Sequence, residues 1–421
     1  MENNIKKIRG QFFTTKNRVL NAMVSLIQNE GVILEPSAGS GHIVKHVEDV
    51  KNRKVSCVEL DETKVKDKVC QSHITTQNFF EYINHCGLFN TIIGNPPFVK
   101  LKNVETETTQ LLPEKIPGNG NLYYYFIKYS ANLLYDDGEL IFIVPKEWLY
   151  NVSASFVRDY LKNNGGFTHF IDCGEEKLFD DADVPALCIF RFVKGYSGKV
   201  KFYQNLDGYY NNEFELKDVK YTTTIAFTNS IHSDKKVSDY FDVKVGLVTG
   251  DEKFFRVGDT DIPEEYLINI MGSNRRLDKY LFLENFKDFN LLPDFLKTKL
   301  LSNKKKLINR KIKKFDEKNW WHYGALRNMT TMESNKSRIY GLMKTRQNDI
   351  FWVGNQGEYF GGGIVGLFVK DNVKINLDDV TNYLNSEEFK NILKENNMYT
   401  NNKVNITPSV LSNLPFTYKI D

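Results

Sequence analysis

Short apolar runs alternate with helically spaced apolar positions throughout the first 195 residues of the chain. Several runs are continuously apolar, as strands are when helices cover both faces of their sheet. The alternation predicts an α/β domain with a doubly wound, Rossmann-like sheet. The predicted strands are 31–34, 55–59, 91–94, 139–145, 167–171 and 184–193, and the predicted helices are 18–28, 42–50, 122–135 and 153–162.

From about residue 196 the pattern becomes irregular, with short strand-like pieces and many Asn, Lys and Tyr residues. A chain of 421 residues is also too long for one typical hydrophobic core. We therefore predict a first domain of residues 1–195 and a mixed α+β second domain of residues 196–421, with the boundary open between 196 and 235.

Charge separates the two halves of the chain. Lys and Arg number 22 against 24 Asp and Glu in residues 1–195, and 34 against 29 in residues 196–421. A basic half is typical of a surface that meets a polyanion. Nine basic and no acidic residues lie between Lys297 and Lys314, a run that suits phosphate contacts and equally suits a solvated helical face. Three aromatic residues beyond this run are expected in the core: Trp320, Trp321 and Tyr323.

The five cysteines have no CxxC spacing, and the seven histidines show no metal-binding spacing such as HExxH. We therefore expect neither a disulfide framework nor a metal site. No apolar run is long enough for a signal peptide or a transmembrane span. These features predict a cytoplasmic protein without a membrane partner.

A glycine-containing turn, Glu35–Gly41, follows the first predicted strand and precedes a predicted helix. Glycines in such a turn let the backbone approach a bound ligand closely. The next strand ends at Glu59, where a carboxylate can accept hydrogen bonds from a ribose diol. Because the turn lacks the full GxGxxG of dinucleotide sites, a nucleoside without a diphosphate, S-adenosylmethionine, is favoured over NAD.

The tetrapeptide Asn95-Pro96-Pro97-Phe98 follows another predicted strand. Two consecutive prolines remove two backbone donors, so the segment offers only acceptors: carbonyl groups and the Asn95 amide oxygen. Such a segment suits a flat base with an amino group. Asn95 and the Pro96 carbonyl accept the two amino hydrogens while Phe98 stacks on the ring, and the nitrogen lone pair becomes free to attack a methyl sulfonium.

These motifs and their order resemble the gamma class of N6-adenine DNA methyltransferases, the Taq I type, over residues 10–195. The segment Gly10–Thr14 is similar to the N-terminal motif, although Thr15 stands where the family commonly has Pro. Asn78 occupies the place of the usual Asp that binds the adenine amino group of the cofactor. Asn121–Phe126 resembles the motif that places an aromatic ring against the same adenine.

The resemblance implies S-adenosylmethionine as the cofactor and assigns residues to the site. The implied cofactor-binding residues are Thr14, Glu35, Ser37, Gly39, Gly41, Glu59, Asn78, Phe79, Asn95 and Phe126. The implied catalytic residues are Asn95, Pro96, Pro97, Phe98 and Phe179, with Phe179 closing on a flipped-out adenine from the side opposite Phe98. The resemblance also implies that residues 196–421 form a target-recognition domain. Double-stranded DNA is then the substrate, the protein is expected to be a monomer, and a cognate restriction endonuclease is a possible separate partner.

Other functions share parts of this pattern. Glutamine N5 methyltransferases and RNA methyltransferases carry the NPP(Y/F) motif on the same kind of sheet, but the long, basic segment 196–421 favours DNA. A catalytically silent DNA-binding subunit would not need an intact Glu35, Gly39, Glu59 and Asn95–Phe98. Asp316-Glu317-Lys318 lacks the upstream acidic element of a nuclease, so no fused endonuclease is expected.

Overall fold

The computed structural model describes residues 16–114, 120–174, 176, 178, 186–221, 224–228, 233–258, 261–312, 314–396, 398–400 and 403–419. They divide into two compact units. One comprises Met1–Ile231 with Glu395–Asn397, and the other comprises His232–Lys394 with Met398–Asp421.

A ten-stranded sheet forms the centre of the first unit, in the order β10-β9-β8-β6-β7-β5-β4-β1-β2-β3. Its strands are β1 (Ile33–Glu35), β2 (Val55–Glu59), β3 (Ile74–Thr76), β4 (Phe89–Gly94), β5 (Leu134–Pro145), β6 (Gly165–Gly174), β7 (Leu187–Lys194), β8 (Val200–Tyr203), β9 (Glu215–Tyr221) and β10 (Ile225–Thr228). Strands β1 to β5 are mutually parallel, whereas β7 runs antiparallel between β5 and β6.

Helices connect these strands. They are α1 (Asn17–Ser25), α2 (His42–Lys51), α3 (Glu62–Lys66), α4 (Phe79–Tyr82), α5 (Thr106–Leu111), α6 (Leu122–Asn132), α7 (Ser155–Asn164) and α8 (Leu206–Tyr210). Short 3-10 turns cover Leu101–Asn103, Lys146–Leu149 and Val152–Ala154. Several helices begin where a short polar side chain caps a free backbone N–H group, as Asn121 does for Tyr123 in α6.

Both faces of the central strands are buried, and alternate residues belong to different hydrophobic clusters. In β4, Ile92 joins one cluster and Ile93 the other. In β5, Phe142 lies on one face while Ile141 and Ile143 lie on the opposite face. This two-sided burial is the reason that the strand sequences are continuously apolar.

The predicted α/β fold with a doubly wound, Rossmann-like sheet is confirmed, with differences in detail. The helix predicted over 122–135 ends at Asn132, because β5 already begins at Leu134. The segment 99–120, to which the sequence assigns neither a strand nor a helix, contains the short helix α5. Strands β8 to β10 extend the first sheet beyond residue 195, into the interval 196–235 where the sequence left the boundary open.

The second unit combines three small sheets, in the orders β11-β18-β14-β16, β13-β12-β17 and β15-β20-β19. The strands are β11 (Phe241–Val245), β12 (Leu267–Met271), β13 (Leu277–Leu281), β14 (Arg338–Leu342), β15 (Lys344–Thr345), β16 (Phe351–Gly354), β17 (Tyr359–Phe360), β18 (Ile364–Val369), β19 (Tyr399–Thr400) and β20 (Lys403–Asn405). The helices are α9 (Val237–Tyr240), α10 (Glu252–Phe255), α11 (Asp294–Ser302), α12 (Lys304–Ile308), α13 (Met329–Glu333), α14 (Leu377–Leu384), α15 (Glu387–Glu395) and α16 (Pro408–Asn413), with 3-10 turns at Glu264–Tyr266 and Phe289–Leu291.

A single hydrophobic cluster in this unit contains Trp320, Trp321 and Tyr323, which are at most 2% exposed. The expectation that these aromatic residues belong to the core is confirmed. Among the helices of the described residues, none combines the length and the apolar character that a membrane span requires.

Candidate active site

The strand order changes direction at β1. The chain runs outward from β1 through β2 to β3, and then returns to place β4 on the other side of β1. In open α/β sheets, ligands bind outside the carboxyl ends of the strands at such a switch point. Glu35 ends β1 and Asn95 directly follows β4, so the two predicted site motifs lie at this edge, side by side.

The turn after β1 has the geometry that a close-approaching ligand needs. Gly39 and Gly41 adopt left-handed backbone conformations, with φ of 54° and 83°. A side chain at Gly41 would place its Cβ 2.5 Å from the Cys70 sulfur, so only glycine avoids displacing that residue. Gly39 N donates to Glu59 Oε2 at 2.8 Å, which fixes the turn against the end of β2.

The Glu59 carboxylate accepts a second bond, from Asp61 N to Oε1 at 2.9 Å. Burial raises the pKa of Glu59, against the opposing effect of these backbone amides. Each carboxylate oxygen has more than one acceptor position, so Glu59 can still bind further hydroxyl groups. This geometry suits a residue that is held in place before a diol reaches it.

Glu35 is a buried acid at the end of β1. Only 1% of its surface is exposed, and within the described residues neither carboxylate oxygen has a hydrogen-bond partner of normal geometry. Burial raises the pKa of Glu35 well above its usual value, and the negative charge of Glu59 adds to the rise. The backbone amides of Ser37 and Asn95 oppose it but do not outweigh the burial. Two neighbouring acids suit a cationic ligand, such as the sulfonium and ammonium of S-adenosylmethionine, because a nearby positive charge favours the ionised carboxylates that burial disfavours.

The segment Asn95–Phe98 is fixed on both sides. Ser37 Oγ donates to the Asn95 carbonyl at 3.3 Å, linking the segment to the glycine turn. Leu122 N donates to the Val99 carbonyl at 2.8 Å, linking it to the start of α6. Pro96 is buried, whereas Asn95, Pro97 and Phe98 are half-buried. The acceptor-rich segment is therefore both rigid and accessible.

Comparison with known proteins identifies the family of the domain that contains these residues. Residues 14–179 match the family described as Eco57I restriction-modification methylase. The chain carries an Eco57I-type restriction-modification methylase domain. It is therefore a DNA methyltransferase, and its methyl donor is S-adenosylmethionine.

Relatives align with both units of the chain. It is 25% identical to the Type II methyltransferase M.HindII of Haemophilus influenzae, over 98% of this chain and 90% of that protein. It is 26% identical to the Type II methyltransferase M.HincII of Haemophilus influenzae, over 98% of this chain and 89% of that protein. The solved structure of the Type IIL restriction-modification enzyme MmeI in complex with DNA shares the fold, with a TM-score of 0.53 and 11% identity, over 88% of this chain and 60% of that one.

The remaining predicted cofactor residues of the methylase domain lie at and after the end of β3. Asn78 Oδ1 accepts from Phe80 N at 3.0 Å and so caps α4, while its amide nitrogen donates to Thr108 Oγ1 at 2.8 Å. The Phe79 and Phe126 rings are buried and stacked on each other, 4.8 Å apart. The structure therefore brings Asn78, Phe79 and Phe126 together, with the two rings packed as core residues.

Two predicted site residues of the methylase domain, Thr14 and Phe179, lie outside the described residues. Within those residues, no group of three or more His, Cys, Asp or Glu side chains could hold a metal ion.

Two features at the site edge were not predicted from the sequence. Tyr123 is fully buried, donates from its hydroxyl to the Pro145 carbonyl at 3.2 Å, and places its ring edge-on to Phe98 at 5.8 Å. The buried Lys146 forms an ion pair with the partly exposed Asp172 at 2.6 Å, and its backbone N–H donates to the Ala186 carbonyl. Tyr123 lies in a run of three tyrosines. Such a run indicates burial, but it does not show that the Tyr123 hydroxyl binds the Pro145 carbonyl.

Proposed function

We propose that the protein methylates the exocyclic N6 amino group of adenine within one specific DNA sequence, with the adenine turned out of the duplex. The observation that carries the proposal is the Asn95–Phe98 segment. It follows β4 at the switch point of the sheet, next to the glycine turn and Glu35.

The residues of this segment support a direct transfer. The Asn95 amide oxygen and the Pro96 carbonyl accept the two amino hydrogens, which draws the nitrogen toward a tetrahedral geometry and frees its lone pair. Phe98 and Phe179 hold the base between two rings. Pro97 has no backbone N–H, so the segment presents hydrogen-bond acceptors and no donor at this position. When bound, S-adenosylmethionine supplies an electrophilic methyl group. Positioning and exclusion of water then account for most of the rate.

The proposed cofactor site is built around the glycine turn. Glu59 accepts bonds from the ribose hydroxyls, and the charge of Glu35 complements the positive charges of the cofactor. The turn itself, with Ser37, Gly39 and Gly41, lets the cofactor approach the backbone. Thr14, Asn78, Phe79, Asn95 and Phe126 complete the proposed cofactor contacts.

Duplex DNA is the proposed partner of the second unit, as a target-recognition domain. The DNA complex of MmeI, whose fold this chain shares, supports a DNA-bound arrangement of such enzymes. Because M.HindII and M.HincII are named as methyltransferases alone, we propose that any cognate endonuclease is a separate protein. We also propose that the protein is a monomer and acts in the cytoplasm.

The chemistry can be tested with purified protein and S-adenosylmethionine carrying a labelled methyl group. Plasmid DNA is incubated with both, digested to nucleosides, and separated by liquid chromatography with mass detection. The expected product is labelled N6-methyldeoxyadenosine. Label in N4-methyldeoxycytidine would contradict the adenine assignment, and label only in added RNA or protein would contradict DNA as the substrate.

A further inference from the structure

Three segments of the second unit form one continuous surface. They are the hairpin tip 272–276 between β12 and β13, the connection 344–349 between β14 and β16, and the glycine segment 361–363. Gly361 N donates to the Met271 carbonyl at 3.0 Å, and Met343 N donates to the Gly363 carbonyl at 3.0 Å. We call this surface the hairpin face.

The hairpin tip is tightly folded. Gly272 N donates to the Arg276 carbonyl at 2.9 Å, and Asn274 Oδ1 accepts from Arg276 N at 3.1 Å. Asn274 Nδ2 also donates to Asp278 Oδ2 at 3.4 Å. These bonds hold the backbone of the tip in one conformation, so its outward side chains start from fixed positions.

Arg275 joins the hairpin tip to the neighbouring segment. Its guanidinium lies over the Trp352 ring, 4.7 Å from the centre, and donates to the Asp349 carbonyl. Its φ of 59° is a left-handed conformation that a residue with a side chain rarely adopts. Such strain persists only where the surroundings hold it, and it is common at binding sites. Arg275 is therefore a structural clamp of the hairpin face.

The hairpin face presents several exposed cationic and amide side chains, and the acidic residue Asp349 is exposed in its segment 344–349. Arg276, Arg346 and Gln347 are exposed, and their side chains make no hydrogen bond or ion pair with any residue that the structure describes. Lys344 is exposed as well. Guanidinium and amide groups are the ones that bind base edges through two hydrogen bonds at once, the guanidinium to guanine and the amide to adenine.

The basic run 297–314 has a different character. Lys304 pairs with Glu317 and Lys306 pairs with Asp251. Arg310 is buried and donates to backbone carbonyls, among them that of Trp320. Much of the positive charge in this run is thus used inside the second unit, whereas the side chains of Arg276 and Arg346 in the hairpin face make no such contacts with the described residues.

We propose that the hairpin face reads the DNA sequence, with Arg276 and Arg346 hydrogen-bonding to base edges in the major groove. Gln347 is a third base-contacting group and Lys344 contacts phosphate. A two-stranded β-ribbon such as the antiparallel pair β12–β13 can enter the major groove of B-form DNA, whereas the deep, narrow major groove of RNA duplexes excludes such elements. This inference rests on the proposed function, since it names the specificity surface of the same enzyme.

The test begins with the DNA motif that the parent protein methylates, determined by long-read sequencing of DNA from cells that express it. Binding to a duplex with that motif and to a scrambled duplex is then measured by fluorescence anisotropy. The variant R276Q/R346Q removes both exposed guanidinium groups and keeps polar side chains. The control K305Q/K311Q removes two exposed charges from the basic run of the same unit.

R276Q/R346Q should lower the preference for the cognate duplex by about 5- to 150-fold for each lost base contact, and should methylate additional sequences. The control should keep the parent preference and the parent motif. Unchanged S-adenosylmethionine affinity and melting temperature would show that both variants are folded.

An unchanged preference in R276Q/R346Q would overturn the proposal, as would an equal loss of affinity for both duplexes. If only one of the two substitutions unfolds the protein, the other single variant carries the same test. A parent protein that methylates no DNA would instead contradict the proposed function itself, so the two failures are distinguishable.

Discussion

Glu35 is a carboxylic acid that the fold keeps away from water. It has no hydrogen-bond partner of normal geometry within the described residues, and burial raises its pKa. A buried group of this kind lowers stability unless something binds to it. We interpret Glu35 as a residue retained for cofactor binding, at the expense of the stability of the free protein.

This interpretation predicts a trade-off in Glu35→Gln. Because the pKa is raised in the folded state, the unfolded state ionises first as pH rises above about 4, and stability falls until the folded pKa is passed. Glutamine cannot ionise, so the variant should gain stability over the parent as pH rises from 5 to 8. Each recovered kcal/mol corresponds to about 2–4 °C of melting temperature.

Thermal melts without cofactor measure the gain, and calorimetric titration with S-adenosylmethionine should show weaker binding. Glu59, whose pKa burial also raises, is present in both proteins and contributes to both profiles. If the stability of variant and parent changed in parallel with pH, Glu35 would not be the buried acid that lowers the stability of the free protein.

Phe98 is half-buried beside Tyr123 and is proposed to stack on the flipped base. Phe98→Ala should weaken capture of the base by about 1–3 kcal/mol, the value of one base–aromatic contact. A duplex with 2-aminopurine at the target position should brighten with the parent and less with the variant. Phe156→Ala, a change of another half-buried aromatic in the same unit, is the control. Equal fluorescence with Phe98→Ala and the parent would remove Phe98 from the base pocket.

At the scale of elements, a buried ion pair joins the strands near the opposite end of the sheet from the site. Glu139 of β5 is fully buried and pairs with Arg191 of β7 at 2.7 Å. Glu139 also accepts from Thr91 Oγ1 of β4 at 2.8 Å and from the backbone of Gln28 at 3.0 Å. The pair thus connects three strands and the segment after α1.

Arg191→Met should destabilise the protein by about 3–5 kcal/mol, because it leaves the Glu139 charge buried without its partner. The measurement is urea unfolding, and methyl transfer by the folded fraction should be unchanged. The double variant E139Q/R191M should recover part of the loss, since no buried charge remains. A loss below about 1 kcal/mol in the single variant would mean that water or other groups replace Arg191.

The elements show what local sequence can and cannot predict. β4 and β5 were predictable because two-sided burial makes them continuously apolar, and the motifs of Glu35 and Asn95 mark the strand ends. The short strands β3 and β8 carry too few residues for a periodic signal. The bonds from Tyr123 to Pro145 and from Lys146 to Asp172 depend on strand order, which no local pattern contains.

At the scale of the whole molecule, charge in the sequence and charge available at the surface differ. The run 297–314 is the most basic segment of the chain, but Lys304 and Lys306 form ion pairs with Glu317 and Asp251, acidic residues that lie outside the run. Because the acidic partners lie outside the run, the sequence of the run alone overestimates the positive charge that is available at the surface. Arg276 and Arg346 lie outside that run, 70 residues apart in the sequence, and only the fold brings their segments together.

Neutralising Lys304, Lys305 and Lys306 together should therefore have a small effect on DNA binding. Only Lys305 lacks a partner among the described residues, so the slope of log affinity against log salt should flatten by at most about 0.9. Stability should change by about 0–1 kcal/mol for each surface pair. Anisotropy titrations at several salt concentrations measure the slope. Flattening by about 2.7 would mean that all three lysines contact phosphate and exchange their protein partners for DNA.

The most direct test of the account compares the parent protein with Asn95→Ala in cells that otherwise lack adenine methylation. Long-read sequencing of their DNA reports N6-methyladenine and its sequence context. We expect the parent to modify one adenine in a single recurring motif, and the variant to modify none while it still binds S-adenosylmethionine. Absence of any methylated motif with the parent, or an unchanged pattern with Asn95→Ala, would contradict the assignment of this site to adenine methylation.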